Sequence, residues 1–332
     1  MTISLMKRVK VAIVALALVA AASACAVGEG SGNGDEGGDY PSQAMDWTIA
    51  FGPGGGNDRL SRQIVEILQQ EDLYPEDIML ENREGGSGAT GWGYLYSQKG
   101  SGYGIATTSG SFITTPLQAD TGWTGADFTP VGSLVTEDSF FMVRGDSAFK
   151  TWADWVAYAK EKGTVTVGGT GLIQINFILQ KLIASEAGYK IKYVPFNEDG
   201  QVQSALLSKS IDAMFAGPGE VLGQIEAGKM RALMFTGPEP LAQAPDIPTA
   251  ESLGMAPLPS QPYGLVLPPD APDSAKDWWI ATMKKVVETP AWKKFIEQQG
   301  FSENVMWDAE FTTYLEQTTE TFKRILTEEG AL

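Results

Sequence analysis

Four glycines and a proline stand between a strand-like and a helix-like stretch in Phe51-Gly52-Pro53-Gly54-Gly55-Gly56-Asn57-Asp58. Residues 46–50 alternate before it, and residues 59–68 repeat their apolar members at helical spacing after it. Conformationally loose residues at such a junction let the main chain come close to a ligand. The helix start behind them offers free N–H groups at the positive end of a dipole, a chemistry that favours an anion. No Gly-Lys-Ser/Thr follows, so the loop is not a P-loop, and its glycine spacing is not the dinucleotide fingerprint. A plain flexible strand-to-helix connection is the alternative reading. Asn57 and Asp58 suit a helix cap. The Asp58 carboxylate would repel an anion, which leaves it the task of orienting the loop or its waters.

Four more loops share this composition: residues 81–91, Thr107-Thr108-Ser109-Gly110-Ser111, Gly168-Gly169-Thr170-Gly171 and Pro195-Phe196-Asn197-Glu198-Asp199-Gly200. In an open parallel sheet, ligands sit beyond the carboxyl ends of the strands, where such loops gather. Together the five loops point to a pocket of backbone and hydroxyl donors. What the chain lacks narrows the chemistry further. It has no histidine, which removes Ser-His-Asp, Cys-His and His-ligated zinc sites together. Its net charge is −17 and no Lys/Arg cluster appears, so nucleic acid is not an expected partner. No cofactor or metal is expected. A carboxylate-using hydrolase stays open as a rival, with Glu198, Asp199 and Glu220 as its acids, although no spacing singles out a catalytic pair. A surface ligand sensor is a third reading.

The elements that must hold these loops alternate along the chain. Strands are predicted over 48–51, 103–107, 140–144, 164–168, 190–194, 211–215, 230–235 and 263–267. Helices are predicted over 58–70, 151–162, 174–187, 200–207, 274–288, 291–299 and 309–326. Thr151-Trp152-Ala153-Asp154 gives the second helix a capping-box start. The β–α alternation predicts an α/β fold with largely parallel sheets, and 332 residues suit two domains. Ahead of the body, Lys7, Arg8 and Lys10 precede an apolar run over 11–20 and small residues over 21–24. This reads as a signal peptide over 1–24. Cys25, the single cysteine, follows Ala22-Ser23-Ala24 as in a bacterial lipobox. Lipidation of Cys25 with a flexible tether over 25–45 is the expectation, and ordinary secretion is the alternative.

The loop Phe51–Asp58 with Ser61-Arg62 resembles the first loop of the tripartite tricarboxylate transporter solute receptors, also called Bug-type extracytoplasmic receptors. Asn82-Arg83, Asp127-Phe-Thr-Pro-Val131, Val194-Pro-Phe196, Gly228-Lys-Met-Arg231 and Asp246-Ile-Pro-Thr-Ala-Glu-Ser-Leu-Gly254 recur in the family's order, from about Trp47 to the C-terminus. The resemblance implies a two-lobed, periplasmic-binding-protein-like fold of the type II, Venus flytrap kind that closes on a small organic acid. Residues 46–143 plus 263–332 would form one lobe and 144–262 the other, with crossings near 141–144 and 261–264. It also implies a monomeric lipoprotein outside the cytoplasm that serves large and small integral-membrane transport subunits. The site residues expected on this basis are Phe51, Pro53, Gly54, Gly55, Gly56, Asn57 and Asp58 in the first loop, and Thr108 and Ser109 after the next strand. From the second lobe come Thr170, Gly171, Gln174, Asn176, Asn197 and Gly217. The second lobe departs from the family pattern at Leu172-Ile-Gln-Ile-Asn176, at Phe177 and at Asn197-Glu-Asp-Gly200. Those departures fall at the distal end of the ligand and leave the acid unnamed.

Overall fold

The computed structural model describes residues 40–328 and 330–332; the expected signal peptide, Cys25 and the tether up to residue 39 lie outside the described residues. The elements run β1 (Met45–Ile49), α1 (Gly56–Gln70), β2 (Ile78–Asn82), α2 (Ala89–Ser97), β3 (Gly104–Thr107), α3 (Gly110–Gln118), β4 (Thr129–Glu137) and β5 (Phe140–Arg144). They continue α4 (Trp152–Lys162), β6 (Thr164–Thr170), α5 (Ile175–Ala187), β7 (Lys190–Phe196), α6 (Asp199–Leu207), β8 (Ala213–Ala216), α7 (Pro218–Glu226) and β9 (Met230–Phe235). The last are β10 (Gln261–Leu267), α8 (Asp273–Val286), α9 (Pro290–Gln299), β11 (Phe301–Trp307) and α10 (Asp308–Glu328). The strands form a six-stranded sheet, β11-β4-β10-β3-β1-β2, and a five-stranded one, β7-β6-β8-β5-β9.

Local signals explain much of this. Thr151 caps α4 by accepting from the Asp154 N–H at 3.2 Å, while the Asp154 carboxylate accepts from the Thr151 N–H at 2.9 Å. Along α1, Leu60, Ile64, Ile67 and Leu68 recur at helical spacing and bury against Met45, Trp47 and Ile49 of β1. Strand alternation divides β5 between two cores: Phe141 and Val143 enter one, Phe140 and Met142 the other.

Pairing is mixed, against the expectation of largely parallel sheets. β10 lies antiparallel to β3 and β4, β11 antiparallel to β4, and β5 antiparallel to β8 and β9. The reason is the path between the sheets. β4 leads directly into β5, and β10 brings the chain back to lie between β3 and β4. The first crossing falls at Asp138 and Ser139, earlier than the expected 141–144, so residues 140–143 pair within the second sheet. The return comes at Gln261. α10 also straddles the expected boundary, since Phe311 packs in a core beside β3 whereas Phe322, Ile325 and Leu326 enter the core of the second sheet. No helix among the described residues is long and apolar enough to cross a membrane.

Candidate ligand-binding site

Five helices begin at one cavity of about 70 Å³. Their N-cap residues are Gly55 for α1, Ser109 for α3, Gln174 for α5, Glu198 for α6 and Gly217 for α7, and all five line it. None of the five starts is capped by its N-cap side chain. A helix start leaves its first N–H groups without intrahelical acceptors, and the dipole adds partial positive charge there. Both sheets contribute: α1 and α3 follow strands of the first, and α5, α6 and α7 follow strands of the second.

The first loop is pinned from behind. The Gly54 N–H donates to Asp58 Oδ2 at 2.9 Å. Asp58 also accepts from Arg62 Nε at 2.9 Å and from Asn82 Nδ2 at 3.0 Å, and Asn82 Nδ2 donates to the Phe51 carbonyl at 2.8 Å. Asp58 therefore orients the loop, held ionised by those donors against the opposing effect of burial.

Of the residues expected at the site, Phe51, Pro53, Gly55, Gly56, Asn57, Ser109, Thr170, Gln174, Asn176, Asn197 and Gly217 line the cavity. Gly54, Asp58, Thr108 and Gly171 are not brought to it. The Thr108 N–H is used by the Gly264 carbonyl at 2.8 Å and the Gly171 N–H by the Phe196 carbonyl at 2.9 Å, while Gly171 lines an adjoining cleft with Phe51, Gln174 and Asn197. Thr170 Oγ1 donates to Gln174 Oε1 at 3.2 Å, which fixes the start of α5.

The remaining lining residues were not among the individual residues expected at the site, although Gly52, Glu198 and Asp199 lie in loops expected to form it. Glu137, Ser139, Gln261 and Tyr263 come from the two crossings, so the expected crossing positions were the one signal that could have found them. Glu198 and Asp199, in the fifth of the expected loops, and Glu220, all three named as acids for a hydrolase, line the same cavity. Arg59, one turn into α1, lies behind it. Its guanidinium sits 3.6 Å from Glu137 Oε1 and 3.5 Å from Glu220 Oε1, and donates to the Gly54 carbonyl at 2.8 Å. Tyr263 Oη donates to Glu137 Oε2 at 3.0 Å. Space here is tight: a Cβ at Gly56 would overlap Tyr263 Oη, and one at Gly217 would overlap the Glu137 carboxylate.

Burial pushes the Glu137 carboxyl up to about 7 against the attraction of Arg59 and the Tyr263 hydrogen bond. Burial and the nearby Glu198 carboxylate raise Asp199, and burial with the charges of Asp199 and Glu137 raises Glu220 further. Among the described residues, no three histidine, cysteine, aspartate or glutamate side chains are grouped closely enough to hold a metal ion. The arrangement can hold a small polar compound between helix starts and carboxylates.

Comparison with known proteins agrees with this geometry. Residues 60–331 match the family described as tripartite tricarboxylate transporter family receptor. A UPF0065 protein in the gbd 5′ region of Cupriavidus necator is 22% identical over 88% of this chain and 89% of its own length. The periplasmic binding protein BugD superposes with a TM-score of 0.81 at 20% identity, covering 88% of this chain and 99% of that one. An R. palustris protein solved with adipate superposes with a TM-score of 0.81 at 18% identity, covering 88% and 99%.

Proposed function

Because the chain belongs to the tripartite tricarboxylate transporter receptor family, we propose that it captures a small carboxylate in the cavity between its two sheets. From there it would deliver the acid to the large and small membrane subunits of such a transporter. The family is one of solute receptors, not enzymes. The observation that carries the reading is the convergence of five helix starts on one cavity. Each brings the positive end of a helix dipole, and those that do not open on a proline also bring first-turn N–H groups, the usual equipment for a carboxylate; α7 opens on Pro218, which has no N–H to offer. That a protein of the same fold holds adipate supports it. The cavity is small, about 70 Å³. A compact mono- or dicarboxylate suits it better than a tricarboxylate unless the halves part.

Two lobes, residues 46–137 with 261–307 and residues 140–235, would open and close about the crossings at Asp138, Ser139 and Gln261. Contacts already join them: Thr114 Oγ1 donates to the Ile173 carbonyl at 2.7 Å, and Arg59 meets Glu220. Lipidation of Cys25 would keep the receptor at the outer face of the membrane, and one copy would suffice for binding. Titrating the purified protein with small carboxylates tests the function, and the absence of binding by any of them would contradict it. Cys25→Ala tests the anchor: the variant is expected in the soluble fraction and the parent protein in the membrane fraction, with an acyl mass.

A further inference from the structure

We propose, building on the receptor reading above, that the ligand is an amino-carboxylate: its carboxylate sits at the starts of α3 and α5, and its cationic N–H group sits among Glu137, Asp199 and Glu220. Four acidic residues line the cavity, these three and Glu198, and among the described residues no lysine or arginine does. Arg59 compensates Glu137 and Glu220 from behind at 3.6 and 3.5 Å, one cation for at least three acids. A ligand carrying only carboxylates would add negative charge to this group, and one with an ammonium would balance it.

Unpaired atoms point the same way. Glu137 is 5% exposed, and its Oε1 has no hydrogen-bond partner among the described residues. Gln261 Oε1, at a residue 8% exposed, is unpaired as well, but it lies against Gly110 at the start of α3 and is not counted with these acids. Buried acceptors of this kind are costly unless a donor reaches them, and a ligand N–H group is such a donor. Unpaired donors lie at the other helix starts: Ser109 Oγ before α3 and Gln174 Nε2 before α5, both buried on the cavity wall. Donors at one set of elements and acidic acceptors at another describe a bipolar ligand.

The test uses matched pairs: glycine with acetate, L-alanine with propionate, and L-aspartate and L-glutamate with succinate and glutarate. Each is titrated calorimetrically at neutral pH into the purified protein. At least one amino compound should bind about tenfold or more tighter than its nitrogen-free partner, the low end for hydrogen bonds between charged groups. Glu137→Gln should erase that preference, so that the amino compound and its nitrogen-free partner bind the variant within about twofold of each other. Asp199→Asn, at a half-buried position, serves as the second variant should Glu137→Gln fail to fold. Equal or tighter binding of the nitrogen-free acids would overturn the amino-carboxylate and leave the receptor reading standing. Failure of every compound to bind would overturn both.

Discussion

At the scale of single residues, the acids around Arg59 make the sharpest claims. Glu137, Asp199 and Glu220 all have carboxyls raised by burial. A raised carboxyl adds stability that is complete below its unfolded value and is lost as pH rises through its folded value. For Glu137 that window runs from the ordinary glutamate value of 4.5 to about 7. The unliganded protein should therefore melt several degrees higher at pH 5.5 than at pH 7.5, and Glu137→Gln should flatten the difference. A thermal melt that rises with pH over that interval would contradict the assignment. Asp58 works in the opposite sense, since its lowered carboxyl matters only at more acidic pH. Arg59→Met should destabilise the fold by about 3 kcal/mol, because it leaves Glu137 and Glu220 without their buried partner. Urea denaturation measures this, and an unchanged midpoint would mean that the ion pairs contribute nothing.

At the scale of elements, the proposed binding rests on the starts of the helices. A Cβ at Gly55, just ahead of α1, would lie 3.1 Å from Oδ2 of Asp199, the first residue of α6, a tight contact. Gly55→Val should prop that contact apart and weaken carboxylate binding by at least about tenfold, roughly 1.4 kcal/mol, with little loss in thermal stability. Unchanged affinity would show that α1 does not approach the ligand. The sequence disclosed β1, its glycine loop and α1 because alternation gives way to helical spacing across residues 46–68. It did not disclose β4, whose Pro130 and Gly132 break the strand pattern and whose pairing comes from β10 and β11, far along the chain. α3 was hidden too: its threonines and Pro116 resemble a loop, and burial of Phe112 and Ile113 holds it instead. Glu137 and Tyr263 were illegible as site residues for a related reason. They meet across 126 positions, through crossings whose geometry no local pattern encodes.

At the scale of the whole molecule, a chain of net charge −17 that takes up an acid must do so against its own field. Association of a nitrogen-free carboxylate should accordingly quicken as salt rises from about 0.03 to 0.3 M, because screening weakens the long-range repulsion. Stopped-flow mixing would show it, and slowing with salt would instead indicate attraction. Ligand binding should also favour the closed arrangement of the two lobes, which solution scattering reads as a smaller radius of gyration. The measurement that bears most directly on the account is calorimetric titration of small mono- and dicarboxylates, with and without an amino group, into the protein and into Gly56→Val. The account predicts one-to-one binding of at least one of them with a micromolar or tighter Kd. It predicts loss of that binding in Gly56→Val, whose side chain would overlap Tyr263 Oη at the cavity wall. No binding by any of the compounds, or equal binding by a folded Gly56→Val, would contradict it.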